Sequence, residues 1–385
     1  MRKASKHIRT REWKQLLAMV KGSDVLSGYA DVIDDIIYKF GTLHQPLFDR
    51  DDDGFSAKTD HPLAGGGRGY WWRGLDCAER NDDIYPGRLA KNEDRVGDSN
   101  CNGIFGLDQY GEPLETKYCS RYPAKGITVL GDSASAHFGL PARWMRPAEF
   151  DKHTFDNLLL LLANEGDWPM VSWATGMSDN CWSDDVFSYT SAESSIYQRY
   201  VDWNRCALND YQNMGNNGAR STSMTKIVKG LSRKQTIDKP QIVFLSLVGN
   251  DVCNGHYPTE SHMTTVEEYT AKTKETLEYL DTILPEGSNV ILTGLADGRV
   301  LWDNMHDRIH PLGEYRQDMT YEGLYEYLNC LEVSPCHGWL TGDADLRDFT
   351  SERAFNLSRA TEDIANTESY EHFDMLYYDF DIDRS

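Results

Sequence analysis

The sequence predicts an α/β fold: a doubly wound parallel sheet preceded by a small, irregular, acidic module. Three observations carry this reading. Short continuous apolar runs recur from residue 126 onward, helical patterns separate them, and the stretch before them is rich in Asp, Asn and Gly. An apolar run that is β-branched in part and does not alternate suits a strand covered on both faces. Strand alternating with helix then argues for parallel pairing.

Taken in order, residues 1–45 read as one or two helices. Leu16, Leu17 and Val20, then Val25, Leu26, Tyr29, Val32, Ile33, Ile36 and Ile37, fall at helical spacing. Residues 46–120 change texture and hold Cys77, Cys101 and Cys119. A segment with so few apolar runs builds little core, so ions or disulfides are expected to hold it. Residues 121–385 form the α/β domain, with strands expected at 126–130, 241–248, 289–295 and 373–380 and a helix at 266–284.

The 385 residues exceed the size at which one core usually stops growing, which favours one large domain with a smaller module. A formal charge of -22 repels phosphate backbones and argues against nucleic acid as a partner, whereas divalent cations suit so much carboxylate. Eight cysteines without a zinc-like CxxC pair fit disulfides in an oxidising compartment, and Asn356-Leu357-Ser358 is a sequon that agrees with secretion. No apolar run approaches the roughly 18 residues a membrane span needs; the leucines at 158–162 stop far short. The N-terminus is basic and amphipathic and has no signal-type apolar core, so a fragment or a processed chain is expected.

The sharpest chemical signal is Gly131-Asp132-Ser133, directly after the first predicted strand. A serine at a strand-to-helix junction presents its hydroxyl at the carboxyl edge of the sheet, where the helix's first N–H groups await an anion. Gly218, in Asn213-Met214-Gly215-Asn216-Asn217-Gly218, offers a backbone N–H open to close approach, and Asn250, in Gly249-Asn250-Asp251, offers an amide after the next strand. Three such donors make an oxyanion hole. Each also has a structural explanation, as helix cap or turn; their order after predicted strands favours the catalytic one. The trio resembles the blocks of the SGNH (GDSL-type) hydrolase superfamily, which implies a flavodoxin-like sheet with Ser133 as nucleophile and Gly218 and Asn250 in the hole.

That superfamily carries its acid–base pair as Asp-x-x-His after the last strand. Asp303-Asn304-Met305-His306 and Asp307-Arg308-Ile309-His310 match the spacing but precede a long helical stretch and the last predicted strand. The pair is therefore expected beyond Ser385, with Asp307 and His310 as the alternative. His137, one helical turn past Ser133, reads as a packed neighbour.

In the acidic module, Asp49, Asp51, Asp53, Gly54, Phe55 and Asp60 stand at positions 1, 3, 5, 6, 7 and 12 of an EF-hand loop. This spacing wraps Ca2+ in carboxylates, with the position-7 carbonyl as a further ligand. Asp76 and Asn81, then Asp98, Asn100 and Asn102, look like two halves of calcium motifs found in extracellular proteins, with Cys77 and Cys101 placed to staple them.

The whole set resembles a narrower family, the acyloxyacyl hydrolases. The resemblance rests on the DxDxDG loop, Trp72-Arg73-Gly74-Leu75-Asp76-Cys77, Tyr85-Pro86-Gly87-Arg88, Asn100-Cys101-Asn102-Gly103, Gly131–His137, Gly249-Asn250-Asp251-Val252-Cys253, Leu301-Trp302-Asp303-Asn304, His310-Pro311-Leu312-Gly313 and Val333–Trp339. It implies a secreted or lysosomal serine esterase that removes fatty-acyl chains from lipopolysaccharide lipid A or from phospholipids. It also implies a saposin-like small subunit as partner, joined through Cys330 or Cys336, with residues 1–45 as the junction. A glycan O-deacetylase on the same fold and an inactive calcium-dependent lipid- or glycan-binding protein are the rival readings.

Overall fold

The computed structural model describes residues 41, 43–58, 66–156, 158–177 and 195–379. The helices expected over residues 1–45 lie outside these except for residues 41 and 43–45. Five parallel strands form the sheet: β3 (Gly126–Gly131), β4 (Tyr211–Asn213), β5 (Gln241–Ser246), β6 (Ser288–Thr293) and β7 (Phe373–Tyr378), in the order β4-β3-β5-β6-β7. A further parallel pair, β1 (Ser56–Ala57) and β2 (Leu75–Asp76), belongs to the acidic segment. The doubly wound parallel sheet is the one the apolar runs predict, in the flavodoxin-like order. Four strands lie where expected, within a few residues at their ends; β4 has no apolar run and was not foreseen.

Alternation along the strands divides the core between the two faces. Leu130, Val243, Leu245, Val290 and Leu292 pack with one set of helices: α5 (Ser221–Ile227), α6 (Val266–Ile283) and α9 (Ala344–Thr367). Ile127, Val129 and Phe244 point the other way, onto α4 (Ile196–Trp203) and the turn around Ala207. The remaining helices, α1 (Leu114–Cys119), α2 (Ser133–Ala136), α3 (Leu158–Ala163), α7 (Gly298–Met305) and α8 (Tyr321–Cys330), lie in the connections. Helix α6 starts where Thr265 Oγ1 accepts from Glu268 N (3.1 Å), and two glutamates in its first turn favour the positive end of the helix dipole. The sequon asparagine, Asn356, sits half-buried within α9.

The acidic segment is stitched to the sheet. Arg73 pairs by backbone with Gln212 of β4, and its fully buried guanidinium donates to the carbonyls of His44, Gly54 and Gly230 at 2.7–3.1 Å. The Tyr85 hydroxyl donates to Asp238 (2.8 Å), and a disulfide joins Cys119 to Cys206. Among the described residues no helix is long and apolar enough to cross a membrane.

Candidate functional site

Gly131 ends β3 in a turn too tight for a side chain: a Cβ there would stand 2.1 Å from Ser135 Oγ and 2.8 Å from the Ser246 carbonyl. Asp132 follows as N-cap of α2, and Ser133 is the first residue of that helix. The Asp132 carboxylate accepts from Ala134 N (3.0 Å) and, across to the loop after β5, from Val248 N (2.7 Å). Burial pushes this carboxyl up to about 6, while those N–H groups favour its anion. Ser133 is half-exposed, and its hydroxyl has no hydrogen-bond partner among the described residues.

The loop after β4 leans directly on α2. A Cβ on Gly215 would meet Ala136 N at 2.6 Å, so only glycine permits this approach. Asn213 Nδ2 donates to the Ser135 carbonyl (2.8 Å), and Asn216 N donates to the Gly131 carbonyl (3.1 Å). Gly218, exposed and left-handed at φ +72°, closes this loop just before α5.

In the loop after β5, Asn250 is half-exposed, while its neighbour Asp251 is fully buried. Asp251 accepts from Ser221 N (3.1 Å), Ser221 Oγ (2.7 Å) and Thr264 Oγ1 (2.7 Å), binding the start of α5 to this loop. Ser133, Gly218 and Asn250 thus lie on three loops at the carboxyl ends of β3, β4 and β5, each tied to the next. Adjacent strands β3 and β5 lie where the winding of the sheet reverses, the usual ligand crevice of an open α/β sheet. The carboxylates that do the tying, Asp132 and Asp251, were not singled out from the sequence.

The two Asp-x-x-His stretches do not form acid–base pairs. His310 is buried as the cap of a short turn, where its Nδ1 accepts from Leu312 N (3.1 Å), while Asp307 is exposed. A nitrogen that accepts from backbone cannot donate to an orienting carboxylate. His306 stacks on Trp302 with its Nδ1 2.9 Å from the Trp302 carbonyl, and Asp303 is exposed. His137 caps α2 in a left-handed conformation, and burial lowers its pKa.

Asp49, Asp51 and Asp53 bring one oxygen each within 4.8 Å of one another, as the EF-hand spacing requires. Asp49 wraps the loop by accepting from Asp52 N (2.7 Å) and Gly54 N (2.8 Å). Asp76 couples electrostatically to this first cluster, because the β1–β2 pairing sets Ser56 beside Leu75, and its carboxylate also stands within 4.8 Å of the Cys77 and Cys101 sulfurs. Asn81 also faces the first loop, its N–H donating to Asp51 (2.6 Å). Among the described residues, buried oxygens of Asp51, Asp53 and Asp76 have no hydrogen-bond partner. Burial, reinforced by mutual repulsion, raises Asp53 to about 8 and Asp76 to about 7. Converging orphaned carboxylate oxygens that resist ionising together fit a hard cation. Phe55 follows with its ring stacked on Tyr85, and Asp60 lies outside the described residues.

Asp98, Asn100 and Asn102 repeat the first loop's geometry. Asp98 accepts from Asn102 N (3.2 Å) and Gly103 N (2.7 Å), and Cys101 and Gly103 take left-handed φ as Asp52 and Gly54 do. Glu115 of α1 accepts from both asparagine amides (3.0 and 2.9 Å). The DxNxNG spacing at 98–103 was readable as a second copy of DxDxDG, and Glu115 could not be read at all. A disulfide links Cys77 to Cys101, as expected; another links Cys253 to Cys336, so of the two candidate intersubunit cysteines only Cys330 is free, and it is exposed.

Residues 127–369 match the family model described as GDSL-like Lipase/Acylhydrolase. Over 314 residues, 81% of the chain, the sequence is 46% identical to acyloxyacyl hydrolase of Homo sapiens and 43% identical to that of Mus musculus. The rabbit (Oryctolagus cuniculus) acyloxyacyl hydrolase is 45% identical over 315 residues. The chain spans about half the length of the curated relatives it matches, 53% of the human protein and 54% of the other two.

Proposed function

The chain belongs to the GDSL-like lipase/acylhydrolase family, and from that premise we propose that it is the catalytic part of a serine esterase that cleaves fatty-acyl esters of a lipid. The observation that carries this is the convergence of the Ser133, Gly218 and Asn250 loops at the sheet's reversal point. The likeness to acyloxyacyl hydrolases favours the secondary acyl chains of lipopolysaccharide lipid A as substrate.

Ser133 Oγ attacks the acyl carbonyl, forming a tetrahedral oxyanion. The N–H groups of Ser133 and Gly218 and the Asn250 amide stabilise that charge as it develops. The intermediate collapses to an acyl-serine with departure of the lipid alkoxide, which takes up a proton, and water then releases the fatty acid. The base in this scheme is an imidazole oriented by a carboxylate. Among the described residues, none makes a hydrogen bond to Ser133 Oγ.

Ca2+ is proposed for the two acidic loops: Asp49, Asp51, Asp53 and Asp76, with the Phe55 carbonyl, in one, and Asp98, Asn100 and Asn102 in the other. Its chemistry there is cross-linking of loops rather than turnover. Exposed Cys330 is proposed as the link to a saposin-like subunit. Three disulfides among the described cysteines fit a secreted or lysosomal protein.

The test is labelling of the full-length protein with a fluorophosphonate, followed by acyl release from lipid A. Ser133→Ala should abolish both while leaving the melting temperature nearly unchanged. Residual labelling or turnover above the buffer blank would refute the assignment, and release of acetyl from glycans in preference to fatty acid would transfer it to the O-deacetylases.

A further inference from the structure

Large exposed apolar side chains gather on two arms, the first of which leaves the helix that Ser133 begins. The stretch leaving α2, residues 138–156, presents Phe138, Leu140, Phe150 and Phe155; the stretch after α7, residues 306–320, presents Leu312 and Tyr315. Their exposures run from 41% for Leu312 to 75% for Tyr315. Water meets these groups at a free-energy cost, and contiguous apolar surface of this kind marks an interaction site.

The first arm starts within one turn of the nucleophile, where Phe138 N donates to the Ser133 carbonyl (2.9 Å). Its rings are organised: Trp144 and Phe150 meet Phe155 edge to face, with centroids 5.2 and 5.7 Å apart. Trp144 rests on the buried cluster that contains Ala136 of α2. Arg146 lies 3.7 Å from Glu314, which brings the two arms together. The two arms meet at this ion pair, and the first of them borders the candidate site.

Charge identifies what the face meets. In a chain of net charge -22, the first arm carries three bases against three acids and the second two against three. The arginines of the first arm are paired within the face, Arg143 with Asp151 and Arg146 with Glu149, both at 3.2 Å. An acidic molecule nearing a phosphate-bearing surface turns its least negative face forward. Paired charges supply little to select a protein partner, whereas apolar area and aromatic rings suffice at the boundary of a lipid layer.

We propose that this two-armed face is the surface on which the protein settles onto a lipid layer, so that an acyl chain reaches Ser133 from that layer rather than from free solution. The proposal rests on the esterase reading above and adds how its substrate is presented.

The experiment uses the full-length protein with two paired variants, Leu140→Asp with Phe155→Asp and Leu312→Asp with Tyr315→Asp. Serine at the same four positions gives a milder set whose melting temperature monitors folding. Partition onto phosphatidylcholine vesicles, and acyl release from them, should fall by about tenfold or more for each aspartate pair. Fluorophosphonate labelling of Ser133 and hydrolysis of a water-soluble short-chain ester should stay at the parent rate. Unchanged vesicle partition in both pairs would overturn the proposal, as would loss of assembly with another chain accompanied by normal partition. If the parent partitions through the arms but neither labels nor turns over an ester, the lipid face stands and the esterase reading falls.

Discussion

Replacing Asn250 by Ala removes a half-exposed amide, and replacing Asp251 by Ala next door removes a buried carboxylate that holds two loops together; the two variants should fail in opposite ways. No hydrogen bond from the Asn250 amide to another described residue accompanies the Asp251 set, so Asn250→Ala should leave stability nearly intact. Its loss falls on the transition state, where one oxyanion donor contributes about 3 kcal/mol, or roughly a hundredfold in acylation rate. Asp251→Ala instead strands Ser221 N–H, the Ser221 hydroxyl and the Thr264 hydroxyl. At about 1–3 kcal/mol for each buried orphan, partly offset by no longer burying a charge, the net destabilisation is about 3 kcal/mol or more. For a domain of this size that lowers the melting temperature by roughly 6 °C or more. Pre-steady-state burst amplitudes and rates with a chromogenic ester, alongside thermal melts of the full-length protein, separate the two. If Asn250→Ala acylates at more than a tenth of the parent rate, the oxyanion role is wrong; if it melts as early as Asp251→Ala, the loop has been misread as two independent parts.

Chelation of calcium should lower the melting temperature of the parent by several degrees and that of Asp53→Asn by much less; a curve indifferent to chelator in both would remove the cation from the loops. Asp167 is fully buried, and its carboxyl is raised to about 8 chiefly by that burial, with Glu165 adding to the rise while Arg68 and Asn217 oppose it. From about pH 4, where an unfolded Asp titrates, to about pH 8, the folded state holds a proton that the unfolded chain gives up, so stability falls as pH rises through that window. Asp167→Asn should therefore gain stability over the parent between pH 4 and pH 8, and an equal offset at both ends of a melting series would contradict the shift. In non-reducing electrophoresis of the full-length protein, Cys330→Ser should release any disulfide-linked subunit that the parent retains, and retention by the variant would move the link elsewhere.

Strands buried on both faces announced themselves because burial demands apolar runs. β4 did not, since Gln212 and Asn213 spend their side chains on hydrogen bonds to Ser232 and to Ser135 and Thr175. A three-residue strand with polar interior side chains leaves no periodic signal. Ser133, Gly218 and Asn250 were singled out for a different reason, their residue types and order after strands, and the structure sets them at the carboxyl ends of neighbouring strands. What binds them together was not. Asp132 reaches Val248 across 116 residues, and nothing local marks it as more than a helix cap. The acidic loops divide the same way, with spacing marking each loop and only the β1–β2 pairing bringing Asp76 toward the first.

Trp339 extends this logic to a residue far from Ser133 in sequence. A Cβ on Gly249 would come 2.1 Å from the far edge of its indole, and one on Gly298 would come 2.1 Å from the near ring. The indole therefore fills space that two glycines leave vacant, one beside Asn250 and one at the start of α7. Its buried Nε1–H has no partner among the described residues, so packing rather than hydrogen bonding holds it there. The loop that carries Asn250 is thus held both by the Asp132 carboxylate and by an aromatic plate, and under the role proposed for Asn250 a donor on so fixed a loop would need little reorganisation when charge develops opposite it.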